Sequence, residues 1–258
     1  MVEQLEAIFD RLARAEDHLE AIEGQLLAYY NSDPYQMSGK YESDADGGGA
    51  TVEPTDGWVD PIPVRLNTLV GEFLHDLRSA LDHLARQLVI QGGHEPASRE
   101  EIPFPVFTKA PVANKAGKKA LPNFRRRVSI AAREVIHEAQ PYQWGDAYAR
   151  HPLWILHQLW NIDKHRDVVV RGVWPYTTFR GELGRPFGYT AQFKSASEDM
   201  AEYVLVPNDP TVNLDADTTV QVALYEPECG IEHALLRTLK EILKLVLGVA
   251  NAAEDRCF

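Results

Sequence analysis

Asn67–Gln91, NTLVGEFLHDLRSALDHLARQLVIQ, sets Val70, Phe73, Leu74, Leu77, Leu81, Leu84 and Leu88 on a single stripe at three- and four-residue spacings, and Gly92-Gly93 follows it. That period belongs to an amphipathic helix with one face in a core. Working outward, residues 1–31 repeat the pattern through Leu5, Ile8, Phe9, Leu12, Leu19, Ile22 and Leu26, with seven acids on the remaining faces and Asn31-Ser32-Asp33-Pro34 at the end. Residues 32–56 then turn to Ser, Asp, Gly and Glu, including Gly47-Gly48-Gly49, a composition that reads as a mobile acidic loop.

Past Gly93, residues 94–123 are rich in proline and read as irregular, with a short extended piece at Ile102–Phe107. Helices are predicted over about Phe124–Gln140, stopped by Pro141, and over about Pro152–Arg166. The period then shortens. Val168–Trp174, Tyr189–Lys194, Tyr203–Val206 and Thr219–Tyr225 are β-branched or aromatic runs separated by Gly, Pro, Asn or Asp, as in a small antiparallel meander. Ile231, Leu235, Leu239, Ile242, Val246 and Val249 define a last helix. The fold expected is mainly α: one domain over 1–258, a helical bundle of residues 1–166 and 230–254 with a β-meander, 167–228, inserted before the C-terminal helix.

Composition bounds the function. A formal charge of -12 repels nucleic acid and anionic membranes as a general coating, so either partner needs a local exception. Eight basic residues and no acidic one between Lys109 and Arg133 supply such an exception, Lys118, Lys119, Arg125, Arg126 and Arg127 among them. They either hold phosphates or pair with the acidic helix and loop near the N-terminus. Cys229 and Cys257 lack the spacing of a zinc knuckle or a disulfide framework, which suits a reducing compartment. The first residues lack a signal-peptide pattern and no run reaches membrane-spanning length, so a cytoplasmic protein is expected.

Two helical phrases carry the chemistry, Leu77-Arg78-Ser79-Ala80-Leu81-Asp82-His83-Leu84 and Asn161-Ile162-Asp163-Lys164-His165-Arg166. On a straight helix Arg78 and His83 diverge by about 140°, while Asp82 lies within about 40° of Arg78 at ion-pair spacing. The pair reads either as an exposed salt bridge beside a surface histidine or as part of a site. On the second helix Ile155, Leu159 and Ile162 face the core. His157, Asn161 and Lys164 line the other side, with Trp154 and Trp160 at its shoulders. Lys164, His165 and Arg166 also suit a helix C-terminus by the macrodipole alone. Glu72-x-x-His75 and Glu134-x-x-His137 match a di-iron half-motif but point away from the apolar stripes. HExxH, P-loop and GxSxG patterns are absent, and neither a metal nor another cofactor is expected.

The first phrase, with Phe104-Pro105-Val106-Phe107, Gln140-Pro141-Tyr142 and Asp163-Lys164-His165-Arg166, resembles a family of uncharacterised bacterial proteins over most of residues 60–175. More distantly, Arg78-x-x-x-x-His83 resembles the arginine–histidine motif of the HEPN superfamily of helical ribonucleases. Ser79, where that superfamily commonly has an amide or acid, and the extra sheet depart from its pattern. The resemblance implies metal-independent RNA cleavage or RNA binding, of a toxin or phage-defence kind, in a homodimer. His83 would be acid or base, Arg78 the phosphate fork, and Asp82, Lys164 and His165 would assist. The reading from residues alone keeps a second function open, a non-catalytic interaction module using the face of Trp154 and Trp160.

Overall fold

The computed structural model describes residues 2–43, 50–110, 121–180, 187–197, 200–212 and 215–258. Helix α1 (Val2–Asn31) lies along α2 (Val64–Gln91), and their apolar stripes are buried in one cluster that joins Ile8, Leu12 and Ile22 to Phe73, Leu77 and Leu84. Each such fully buried side chain contributes about 1.5–3 kcal/mol. The region between Phe124 and Gln140 is not one helix. It divides into α3 (Leu121–Arg127) and α4 (Ile130–Glu138) because the Ser129 side chain accepts the Ala132 N–H and starts a new first turn. Two 3-10 turns over Pro141–Arg150, broken at Gly145 with φ of +55°, lead into α5 (Pro152–Asp163). The last helix, α6 (Leu235–Cys257), packs on α1, α2, α4 and α5 and so closes the helical layer.

The strands overturn the expected mainly-α bundle with a small inserted meander. Seven of them, β1 (Tyr35–Ser43), β2 (Ala50–Val59), β3 (Val170–Arg180), β4 (Phe187–Ala196), β5 (Ala201–Pro207), β6 (Asp215–Glu226) and β7 (Ile231–Ala234), form one antiparallel sheet in the order β2-β1-β4-β5-β6-β3, with β7 also paired to β6. The sheet is not an insertion between two helices, because its first hairpin precedes α2 in the chain. Residues 35–43 and 50–59, which overlap the mobile loop expected over 32–56, pair with each other from Tyr35↔Val59 to Ser43↔Ala50, and β1 pairs on with β4 from Ser38↔Thr190 to Tyr41↔Phe187. Ile231, read as the start of the last helix, belongs to β7.

Helices and sheet meet through alternation and tyrosines. Along β6, Ala216, Thr218, Val220, Val222 and Leu224 are buried at every second position, the period of a strand with one face in a core. Tyr29 at the end of α1 packs edge-on against Tyr35, and Tyr35 likewise against Tyr203. The Tyr30 hydroxyl accepts the Val222 N–H at 2.8 Å, tying the end of α1 to β6.

Candidate functional site

The loop Ile102–Phe107 is held by three side chains from elsewhere. Arg78, 2% exposed, sets Nη2 2.8 Å from Asp82 Oδ1 and Nε 3.3 Å from Asp82 Oδ2, and Nη2 also donates to the Phe104 carbonyl at 3.0 Å. Asp82 Oδ1 accepts the Phe104 N–H at 2.7 Å, and the Phe104 ring is buried. Further along, Gln140 accepts the Phe107 N–H and donates to the Pro105 carbonyl, both at 2.9 Å. The helical spacing of Arg78 and Asp82 presents both to one strip of backbone. A buried arginine and a partly buried aspartate thereby satisfy both main-chain groups of Phe104.

Outside this clamp a cleft of about 390 Å³ opens between α2, the loop and α5, where the cations Arg86 and Lys164 share the lining with the carboxylates Asp82 and Glu101 and with His83 and Trp160. Lys164 Nζ sits 3.0 Å from the centroid of the Trp160 indole, and the Arg78 guanidinium carbon 5.0 Å from it. Arg86 donates to the carbonyls of Glu100 and Pro96. His83 is exposed; partial burial pushes its pKa down, Arg11 and Arg86 lower it further, and Asp82 opposes them. His157 is half-buried, with Nε2 3.2 Å from Asn161 Nδ2 and Nδ1 buried without a partner. Burial first, then Arg78 and Lys164, hold its imidazole to the neutral form against Asp82.

The structure thus brings Arg78, Asp82, His83, His157, Asn161 and Lys164 into one neighbourhood, but not in the roles their spacing suggests. Arg78 commits Nε and Nη2 to Asp82 and the loop, while its Nη1 is buried without a partner. His165 is exposed and does not line the cleft. Arg166 forks onto buried Glu226, with Nη1 at 3.1 Å and Nη2 at 2.6 Å, and the same carboxylate accepts the Val169 N–H at 2.9 Å. In the basic segment Arg127 pairs with Glu100 and Arg126 is exposed, whereas Arg125 lines a second pocket beyond the loop. Lys118 and Lys119 lie outside the described residues. Trp154 packs on the core and against Tyr148, so among the described residues the exposed aromatic surface belongs instead to Trp144, 49% exposed beside an apolar groove that includes Val135, Leu245 and Val249.

One polar cleft escapes the sequence reading. On the other flank of α2, His18 lies between Glu72 (Nδ1 to Oε2, 3.6 Å) and buried Asp76 (Nε2 to Oδ2, 3.4 Å), and Arg14 Nη2 is 2.7 Å from Asp76 Oδ1. His75 and Asp163 line the same space, and burial together with Asp167 raises the Asp163 pKa, partly offset by His75. The signal was available. Arg14 with His18 on α1, and Glu72 with Asp76 on α2, are both i,i+4 pairs. No group of three or more His, Cys, Asp or Glu among the described residues is placed to hold a metal ion. No helix among them is long and apolar enough to cross a membrane. No family model, no curated protein and no solved structure matches the chain.

Proposed function

We propose that this chain binds single-stranded RNA in the cleft between α2 and α5, and that a HEPN-like, metal-independent cleavage there runs through His83. The observation that carries this reading is the grouping of Lys164, the Trp160 ring, Arg86 and His83 on one cleft. Phosphates take cations and unstacked bases take aromatic faces, and in this reading Lys164 leaves the Trp160 ring for a phosphate as a base stacks there. With its pKa lowered, His83 is neutral at physiological pH and free to take a proton. In this reading it deprotonates a ribose 2′-hydroxyl, the oxygen attacks the adjacent phosphorus, and the 5′-oxygen leaves with a proton from water. Lys164 takes over the phosphate role that the resemblance assigned to Arg78. Arg78 instead positions the loop. The homodimer belongs to the same proposal, although Lys164 already supplies a cation beside His83 within one chain.

The test uses a fluorescent single-stranded RNA in EDTA. Binding should weaken with salt, and Lys164→Ala and Arg86→Ala should each lower the slope of log K against log salt by about one. His83→Ala should abolish product while leaving affinity intact. Wild-type affinity in the Lys164→Ala, Arg86→Ala double variant would refute RNA binding here. Undiminished cleavage by His83→Ala would remove that histidine from the chemistry. Sedimentation of the protein across the same salt series reads the oligomeric state directly.

A further inference from the structure

We propose that the pocket on the far side of the Ile102–Phe107 loop holds one unstacked nucleotide, its base among aromatic side chains and its phosphate on Arg125 and Arg133. This deepens the RNA reading and rests on it. The pocket has about 230 Å³ of free space, with Phe107, Phe124 and Ile136 as apolar walls and Tyr142 at one side. Among the described residues neither Arg125 nor Arg133 has a carboxylate partner, in a chain whose acidic residues outnumber its basic ones by 38 to 26. Arg133 spends Nη2 on the Val128 carbonyl at 3.1 Å, and its Nε is buried without a partner. Two arginines left uncompensated beside apolar walls form a site for an anion with a planar apolar body.

Three further observations narrow the ligand to a nucleotide. The Phe107 wall is pre-set, because Gln140 holds the backbone on both sides of it. Tyr142 and the imidazole of His137 bond to each other at the edge, where a base presents donors and acceptors. Ile102 and Pro103 line the RNA cleft while Pro105 and Phe107 line this pocket, so one loop is the common wall of both. At most ~18 Å of backbone separates its ends. A strand whose phosphates follow Arg86 and Lys164 can therefore cross the loop and lodge its next exposed base behind it.

The experiment titrates the intact chain with AMP, GMP, CMP and UMP, and with inorganic phosphate and octanoate as controls, by calorimetry. At least one nucleoside monophosphate should bind, phosphate and octanoate should bind at least tenfold more weakly, and Arg133→Gln, Arg125→Gln and Phe124→Ser should each weaken the nucleotide about tenfold. Arg125 is exposed, so its variant folds even if the Arg133 variant does not. Arg237→Ala, exposed on α6 and outside the lining of both sites, should leave mononucleotide affinity unchanged. Tighter binding of octanoate, indifference to all three pocket variants, or dependence on Lys164 in their place would each overturn the inference. RNA binding that needs Lys164 and Arg86 but ignores the pocket variants sinks this proposal alone. Nucleotide binding that needs Arg125, in a chain whose RNA affinity ignores Lys164 and Arg86, sinks the cleft reading and leaves the pocket standing.

Discussion

His151 replaces the usual serine or aspartate at the start of a helix. Its Nδ1 accepts the Leu153 N–H at 3.2 Å in the first turn of α5, and burial pushes its pKa from 6.5 down to about 4. The unfolded chain therefore binds a proton that the folded chain refuses between those two values. Stability from this site is complete above pH 6.5 and declines as pH falls toward 4, by about 3 kcal/mol at most. His151→Asn keeps an acceptor at the cap and cannot titrate, so urea unfolding of that variant should show a flatter slope over pH 4–6.5 than the parent. An identical slope would remove His151 as the cause. Gly71 is a second position where one atom decides the outcome. Alanine in place of a helical glycine ordinarily gains about 1 kcal/mol, but a Cβ here would lie 2.7 Å from Asp163 Oδ1. Gly71→Ala should cost about 1 kcal/mol alone and turn favourable in an Asp163→Ala background. Strict additivity of the two changes in a denaturation cycle would contradict this.

Among the elements, the loop clamp has the largest consequence. Arg78→Met keeps the stem's packing but strands the partly buried Asp82 carboxylate and the Phe104 carbonyl, at a cost of about 3 kcal/mol. Hydrogen exchange at the Phe104 and Phe107 amides should accelerate with it. Unchanged protection there would show that the guanidinium does not hold the loop. Helices α1, α2 and α5 are legible in the sequence because an apolar stripe at helical spacing has one physical explanation. The break between α3 and α4 is not, because a serine cap inside a helical pattern looks like any polar surface residue. The hairpin of β1 and β2 is hidden further. YQMSGKYES is half-polar and contains glycine, and it becomes a strand through pairing with β2 along its length and with β4, more than a hundred residues away, over Ser38–Tyr41. At the site, Arg78 and Asp82 were readable as an i,i+4 pair, but the loop they grip was not. The cleft around His18 is half legible for a related reason, since two i,i+4 pairs mark a polar strip on each helix, and only the packing of α1 on α2 brings the strips together.

For the whole molecule, the order of strands matters more than their number. Every helix that packs on α6 waits for the last residues of the chain, and β1 keeps one edge bare until β4 arrives. A fragment of residues 1–166 should therefore be aggregation-prone: it contains the hairpin and four of the helices' faces without the partners that cover them. Analytical ultracentrifugation of that fragment should find large species, and a monodisperse, cooperatively unfolding fragment would contradict the expectation. Addition of a separate 167–258 fragment should reduce them if the edge is responsible.

The pairing of Tyr41 with Phe187 also sets a timetable for biosynthesis. At cellular translation speeds of about 5–20 residues per second, the hairpin leaves the ribosome on the order of ten seconds before the strand that completes it. In that interval the nascent polypeptide presents an open β-edge beside a half-assembled helical layer, the kind of surface a ribosome-associated chaperone occupies until synthesis ends.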